Sequence, residues 1–317
     1  MDPLLDLVRL LRPRAALFGA GLDAAGDWGL SFRQRQDLLF CWVEQGACHL
    51  LRAGHAPLEM RQGDFALIYT AAPFTLASSA EAAAVDSELA VAAAGQARLA
   101  LGSGSSRAVT LHAGKFIVDR ANAHLLHGLL PPLVHIDAGD ASLRRVRALL
   151  SMNETEARDP GPASTYIIER LLELVLVELL RIPRLQAGEK HTGLLAGLAD
   201  PVIRPAIVAM HQDVARDWTV AALAKISAVS CSTFAVRFQA IFGAAPIAYL
   251  IAWRMALAKD ALRHGTQSIG EIAFAVGFQS ASAFTTAFTR AVGCSPGRFA
   301  HSADAPRSVR HPPSAPD

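Results

Sequence analysis

At 317 residues the chain is long enough for two domains, each with its own core. It is 52% hydrophobic and 18% charged, a globular balance with an excess of Ala, a good helix former. The net charge of +2 hides an asymmetry: residues 1–150 hold fourteen Lys and Arg against fourteen Asp and Glu, whereas residues 201–301 hold nine against four, so a basic part suited to a polyanion is joined to a neutral one.

Cys41, Cys48, Cys231 and Cys294 are scattered, with no C-x-x-C pair, which excludes a disulfide framework and a structural zinc site. Free thiols fit a reducing compartment, so a cytoplasmic protein is expected. The first fourteen residues carry Asp2 and Asp6 and no long apolar run, so they do not read as a signal peptide. The most apolar run, 171–180, is interrupted by Glu173 and Glu178, and no membrane partner is expected.

In chain order, Pro3–Leu11 reads as a short amphipathic helix. Short β-type runs follow at 15–18, 38–43, 48–52, 65–69, 74–77, 85–92 and 115–118, punctuated by Gly19, Gly26, Gly46, Gly54, Gly63, Gly95 and Gly102. Many short strands at regular spacing predict a small antiparallel barrel or jelly roll. Residues 102–106 form a flexible loop tip, and 121–130 and 140–150 read as helices closing the barrel. Residues 151–163 are polar, with Pro and Gly, and read as a loop. Ser164 then caps a helix to about 182. Its Ile167, Ile168, Leu171, Leu172, Val175, Leu176, Leu179 and Leu180 follow a helical stripe, which either packs on its own barrel or forms a homodimer seam. Residues 183–192 read as an interdomain linker.

Asp200 and Pro201 open the second domain as N-cap and first helical residue, with the helix running to about His211. Asp217 or Thr219 caps the next helix, and Ser230 the one after. Pro246 starts a long helix to about His264, stopped by Gly265. Ser268 and Glu271 form a capping box, and Ser280 or Gln279 caps the last long helix. The end reads as a disordered tail.

Part of this second domain is duplicated. Phe234, Phe238, Gly243 and Pro246 recur as Phe284, Phe288, Gly293 and Pro296. Each copy reads as helix, turn, helix, then Gly and Pro, which makes two tandem helix-turn-helix units at about 219–243 and 268–293. Phe234, Phe238, Ile241 and Phe242 form the face the first unit must bury; Phe284, Ala287, Phe288 and Val292 form that of the second. The opposite faces present small polar residues suited to a major groove. The DNA-facing candidates are Ser230, Ser232, Thr233, Ala235, Val236, Arg237 and Gln239 in the first, and Gln279, Ser280, Ser282, Thr285, Thr286, Thr289 and Arg290 in the second. Ala235 and Val236 suit thymine methyls, Arg237 and Arg290 suit phosphates. Residues 246–264 as a helix would span roughly 28 Å at about 1.5 Å per residue, against about 34 Å between successive major-groove faces of B-DNA.

From about 203 to 301 the chain resembles the DNA-binding domain of AraC/XylS-type transcriptional regulators. The matching stretches are WTVAALAKISAVSCSTFAVRFQAIFGAAPIAYLIAWRMALAKDAL and SIGEIAFAVGFQSASAFTTAFTRAVGCSPGRFA. The resemblance implies sequence-specific binding of double-stranded DNA and control of transcription, as activator or repressor, by contact with RNA polymerase. There is one departure: Thr286-Ala287-Phe288-Thr289 stands where the family usually carries Arg–Ala–Phe–Lys, so two cations are missing.

The front half resembles the cupin-type sensor domain of one AraC subgroup, through DLVRLLRPRAALFG, LEMRQGDFALIYTAAPFTLAS and AGKFIVDRANAHLLHGLLPPLVHI. Metal-binding cupins use H-x-H and a second motif. This chain has no H-x-H, and Tyr69, Ala71 and Phe74 stand where Pro, Gly and His would. No metal, no cofactor and no enzymatic activity are therefore expected. His124 and His127, three apart, and the single His49, His55, His112 and His135 read as surface or core groups. The barrel mouth is expected to hold a small-molecule effector, with Trp42, His49, Tyr69 and Phe74 as candidate lining residues.

The expected architecture is α+β: a cupin-like antiparallel β-barrel (1–150), a connecting helix and linker (151–193), an all-α domain with two helix-turn-helix units joined by a long helix (200–302), and a tail (303–317). An effector can act only by preferring one arrangement of domains or of a dimer, and the 164–182 helix is the expected switch. The rival reading is a cupin-type metal-dependent enzyme with an accessory helical domain.

Overall fold

The computed structural model describes residues 2–301 apart from 36, 96, 105–107, 120–121, 123–124, 126–131, 141–143 and 183–192. It divides into two units, Leu11–Ala199, and Met1–Leu10 together with Asp200–Asp317. The expected helix at 121–130, the linker at 183–192, the tail at 303–317 and His124 and His127 fall wholly or mostly outside the described residues.

The first unit is built on two open sheets. One contains β1 (Arg14–Leu17), β2 (Leu22–Ala25), β4 (Leu38–Gln45), β7 (Phe65–Tyr69), β10 (Leu99–Gly102), β11 (Val109–Ile117) and β12 (Leu133–Ile136), in the order β10-β2-β11-β4-β7-β12 with β1 also on β11. The other is β6 (Leu58–Arg61), β5 (Ala47–Arg52), β8 (Phe74–Ala77), β3 (Gly29–Phe32) and β9 (Val85–Asp86), in that order. Pairing is antiparallel except where β10 meets β2 and β9 meets β3. Period-2 alternation assigns the faces. Leu39, Cys41 and Val43 of β4 and Leu111 and Ala113 of β11 join Phe32, Leu50, Met60, Phe74 and Leu76 of the second sheet in one core. The intervening Phe40, Trp42 and Phe116 form a second aromatic layer on the other face, with Phe40 and Phe116 ring centroids 4.8 Å apart. β2, β3, β6, β10 and β12 have four residues each and do not stand out from their turn residues, which is why the sequence did not signal them.

Among the described residues, four helices beyond α1 belong to this unit. Residues 85–92, expected as a strand, form only the two-residue β9 and then α2 (Ser87–Ala94), numbered after α1 (Pro3–Leu11). Asp86 caps α2 by accepting from the N–H groups of Glu88 and Leu89 at 2.9 and 3.4 Å, and the Ala-rich run then favours helix over strand. α3 (Arg144–Arg158) runs through what was expected as a loop at 151–163, whose Pro and Gly lie only at its far end. α4 (Ser164–Leu180) packs on α3 and β1. Ser164 is its first residue rather than its cap; the hydroxyl donates to Glu156 at 2.6 Å. Ile168, Leu171, Leu172, Val175, Leu176, Leu179 and Leu180 are buried within this unit, so the stripe serves the unit's own core. Further along the chain, α5 (Leu194–Ala199) is a helix the sequence does not announce.

The second unit holds α6 (Arg204–Gln212), α7 (Val220–Ile226), α8 (Cys231–Phe242), α9 (Pro246–His264), α10 (Ile269–Ala275), α11 (Ala281–Val292) and α12 (Pro296–His301). Asp200 does not cap α6. It accepts from Val202 and Ile203 N–H at 2.9 and 3.0 Å, making a turn that ends before the helix. The other caps agree with the sequence: Thr219, Ser230, Ser280, and the Ser268/Glu271 box. Gly243 and Gly293 end α8 and α11 in the left-handed conformation. Phe234, Phe238, Phe284 and Phe288 are fully buried. The duplication also extends past Pro246 and Pro296. Tyr249 meets Phe238 edge-on at 5.6 Å, and Phe299 meets Phe288 edge-on at 5.5 Å. Most of α1 belongs to this unit. Its Asp6 lies 3.8 Å from Nδ1 of His211, whose Nε2 hydrogen-bonds the Tyr249 hydroxyl at 2.8 Å.

Candidate nucleic-acid interface and sensor cavity

α7 and α8 are bent by 91° across a short turn, within the range of helix-turn-helix pairs. The turn is closed by the same bond in both copies: Val229 N–H to Ala224 O at 3.2 Å, and Phe278 N–H to Ala273 O at 2.9 Å. Each turn needs a left-handed residue, Ala228 (φ 54) in the first and Gly277 (φ 83) in the second. At Gly277 a side chain has no room: a Cβ would sit 2.6 Å from Ala215 O and 2.7 Å from Nη2 of Arg254. Arg254, on α9, donates to the carbonyls of Val214 and Arg216 at 2.9 and 2.8 Å. The loop before the first unit, the long helix and the turn of the second thus meet at one point.

With the Phe faces buried, the exposed faces are those expected. Ser232, Thr233, Val236, Arg237 and Gln239 of α8 are exposed and Ala235 is half-buried; Gln279, Ser280, Ser282, Thr286, Thr289 and Arg290 are exposed and Thr285 is half-buried. Ser230 is exposed but engaged in capping, accepting from Thr233 N–H at 3.2 Å. Val236 is 71% exposed, a branched apolar side chain in water. The three threonines of α11 share one habit. Thr285, Thr286 and Thr289 donate their hydroxyls to Ala281, Ser282 and Thr285 carbonyls at 2.7, 3.1 and 2.7 Å. What they turn outward is methyl groups and acceptor lone pairs. Arg237, expected on phosphate, is held by Asp200 at 2.8 Å. Burial alone would raise the Asp200 carboxyl, but the Arg237 hydrogen bond and the Ile203 and Val202 N–H groups bring it below the ordinary value.

In the first unit, the candidate effector residues Trp42, His49, Tyr69 and Phe74 are not brought together. Trp42 faces away from the sandwich core and stacks on His112 at 4.6 Å. His49 hydrogen-bonds the Ser78 carbonyl at 3.1 Å. Tyr69 ends β7 opposite Leu38, and Phe74 stacks on Phe32 at 4.5 Å inside the core. A cavity of about 300 Å³ instead opens at one end of the sandwich. Phe18, Phe32 and Leu39 form its floor, Ser87, Glu88, Val91 and Ala92 of α2 its cover, and Arg33, Arg35, Asp37, Thr70 and Lys115 the remainder. A more open hollow of about 390 Å³, which Phe74 does line, lies against Ser31, Arg52 and His55.

The described histidines of this unit are bound separately. His55 meets the Ala53 carbonyl at 3.0 Å, His112 meets Glu44 at 2.8 Å, and His135 meets Asp64 at 3.1 Å. Among the described residues no group of three His, Cys, Asp or Glu side chains is placed to hold a metal ion, and no single helix is long and apolar enough to cross a membrane.

Two helix-turn-helix units carried on one long helix, with a β-sandwich domain in the same chain, define a DNA-binding regulator of transcription. Residues 2–182 match the cupin family and residues 223–302 the helix-turn-helix domain family. A putative AraC-like transcription regulator of Streptomyces lividans is 39% identical over 300 residues, covering 94% of this chain and 98% of that one. The regulator AlkR of Acinetobacter baylyi is 27% identical over 281 residues, 86% of this chain and 91% of that one. The crystal structure of the DNA-binding domain of AdpA with a target DNA shares 29% identity, covering 35% of this chain and 98% of that one, with a TM-score of 0.32. The chain belongs to the AraC-like transcription regulators, with a cupin domain in front of the DNA-binding domain.

Proposed function

We propose that the chain reads duplex DNA with the exposed faces of α8 and α11 and couples that reading to a small molecule held in the sandwich. The carrying observation is that two scaffolds with equivalent buried faces expose different outer ones. One offers Ser232, Ala235, Val236 and Gln239; the other Ser282, Thr285, Thr286 and Thr289. Two different half-sequences are the natural readout. Arg290 and a released Arg237 serve the phosphate backbone. RNA polymerase is the partner that turns occupancy into transcription, in the cytoplasm, and the chain performs no catalysis of its own. A homodimer through α4 would use its exposed Tyr166 and Leu174, 62% and 51% exposed, because the stripe beneath them is taken up by the unit's own core.

The test is a mobility shift of the full chain on the DNA upstream of its own gene, across a salt series, with and without the small-molecule fraction of a cell extract. Specific binding that weakens steeply with salt and changes with the fraction supports both halves of the proposal. Binding indifferent to every fraction removes the effector half. Sedimentation of the same sample decides the dimer, and elemental analysis finding a stoichiometric metal would favour the enzyme reading.

A further inference from the structure

Lys115 stands where the strand pattern calls for an apolar residue. On β11 the inward row is Val109, Leu111, Ala113, then Lys115, and the first three pack into the sandwich core. In register, Lys115 lies opposite Leu39 of β4 and Ala16 of β1. It therefore lines the 300 Å³ cavity beside Leu39, Phe18 and Phe32. The other two cations on the lining are already neutralised. Arg33 pairs with Asp86 at 2.7 Å, and Arg35 pairs with Glu88. Among the described residues no carboxylate lies within ion-pairing distance of Lys115. Asp37, the remaining charged group on the lining, is fixed by its backbone to the Thr70 hydroxyl at 2.8 Å. Lys115 is half-buried, so a ligand that fills the cavity takes its ammonium group further out of water, which is costly unless the ligand itself supplies the counter-charge.

We infer that this cavity takes a small monocarboxylate with an apolar body, the carboxylate on Lys115 and the body on Phe18, Phe32 and Leu39 under α2. The inference rests on the proposal that the sandwich binds an effector, and it names the chemical class. The volume is at the lower end of the roughly 300–1,000 Å³ usual for small-molecule sites, so the ligand is compact. α2 covers it with Val91 and Ala92 while Leu89, on its other side, is 72% exposed. Two arginine pairs, through Asp86 and Glu88, tie the start of that helix to the segment after β3.

The experiment is calorimetry and thermal melting of the full chain with three probes of one shape: 4-phenylbutyrate, 4-phenylbutanol and 4-phenylbutylamine. The expected result is that the carboxylate alone binds and raises the melting temperature, and that Lys115→Met weakens it at least about ten-fold. Lys115→Met should itself melt no lower than the wild type without ligand, because a flexible apolar side chain of similar length fits the wall beside Leu39 and Phe32. A Lys115→Met protein that melts lower, or keeps its affinity for the butyrate, overturns the anchoring role. Equal binding of the alcohol, or preferential binding of the amine lost in Asp37→Asn, overturns the carboxylate class while leaving an effector site in place. Binding of none of the three, while a cell-extract fraction still alters DNA affinity, overturns the site and leaves the effector proposal standing.

Discussion

Arg237 gives two hydrogens to one oxygen: its Nε and Nη2 each lie 2.8 Å from Oδ2 of Asp200. The pair joins the outer face of α8 to the turn before α6, and it withholds a cation from any phosphate. Asp200→Asn should therefore tighten binding to unrelated duplexes a few-fold and increase the salt slope by about one. Fluorescence anisotropy in a salt series measures both. An unchanged slope would place Arg237 away from the backbone.

The two left-handed turn residues should respond to exchange with very different magnitudes. Gly277→Ala brings a Cβ to 2.6 Å from Ala215 O and also strains the backbone, costing roughly 2–4 kcal/mol. Ala228→Gly removes a left-handed penalty and adds chain entropy to the unfolded state, so the net change should stay within about 1 kcal/mol. Urea unfolding of the two variants tests the contrast; a neutral Gly277→Ala would mean that the loop at 213–216 yields.

On α11 the hydroxyls of Thr286 and Thr289 are spent on Ser282 and Thr285 carbonyls. Restoring the usual cations, Thr286→Arg with Thr289→Lys, should tighten all duplexes alike and steepen the salt slope by up to about two. Thr285→Val should instead alter sequence preference at little cost in stability, and Arg290→Ala should weaken every site equally. Selection from a random DNA pool separates these outcomes. Identical preferred sequences for wild type and Thr285→Val would remove that residue from base reading.

The stripe on α4 has become a stability question. Leu172 and Leu176 are fully buried, so Leu172→Ala should cost about 2–5 kcal/mol and lower the melting point. Polar replacements at these sites should unfold the unit before they uncouple anything. A soluble, normally melting Leu172→Asn protein would contradict this packing.

Acid should weaken the first unit. Burial holds His112 below the ordinary histidine range, against the opposing effect of its hydrogen bond to the Glu44 carboxylate. Burial would raise Glu44, yet its bonds to His112 and Arg158 hold it low. Both groups are lower when folded, so each contribution is complete above its unfolded value and lost as pH falls. Histidine acts first, below about 6.5, and the carboxylate below about 4.3. His112→Gln should flatten the upper part of the melting profile between pH 7 and 5.

The helical unit was more legible than the sandwich, for physical reasons. A helix announces its ends by short-range chemistry, and Ser230, Ser268 with Glu271, Pro246 and Gly265 all stand where such chemistry requires. Repetition then gave a second, independent reading of the Phe faces. The sandwich depends on partners far away in sequence. Four-residue strands such as Gly29–Phe32 carry too short a pattern to see. The run at 85–92 has strand-like Val residues but was decided by Asp86 as a cap. Among the proposed effector residues, aromatic character drew attention to Trp42 and Phe74, which the structure uses as packing. Lys115 was overlooked because its oddness appears only once β11 is aligned with β4.

The junction of Arg254, Gly277 and the 213–216 loop has one more consequence. If α8 and α11 read DNA as proposed, docking of one on a duplex would fix where the other must go, because both helix-turn-helix units are tied to this junction, and the ordering cost is met during folding. The second contact would then form at high effective concentration, and a helix that lets go would be returned before its neighbour leaves. Such a protein gains residence time on DNA without strong individual contacts, which suits a reader with so few cations on its second helix.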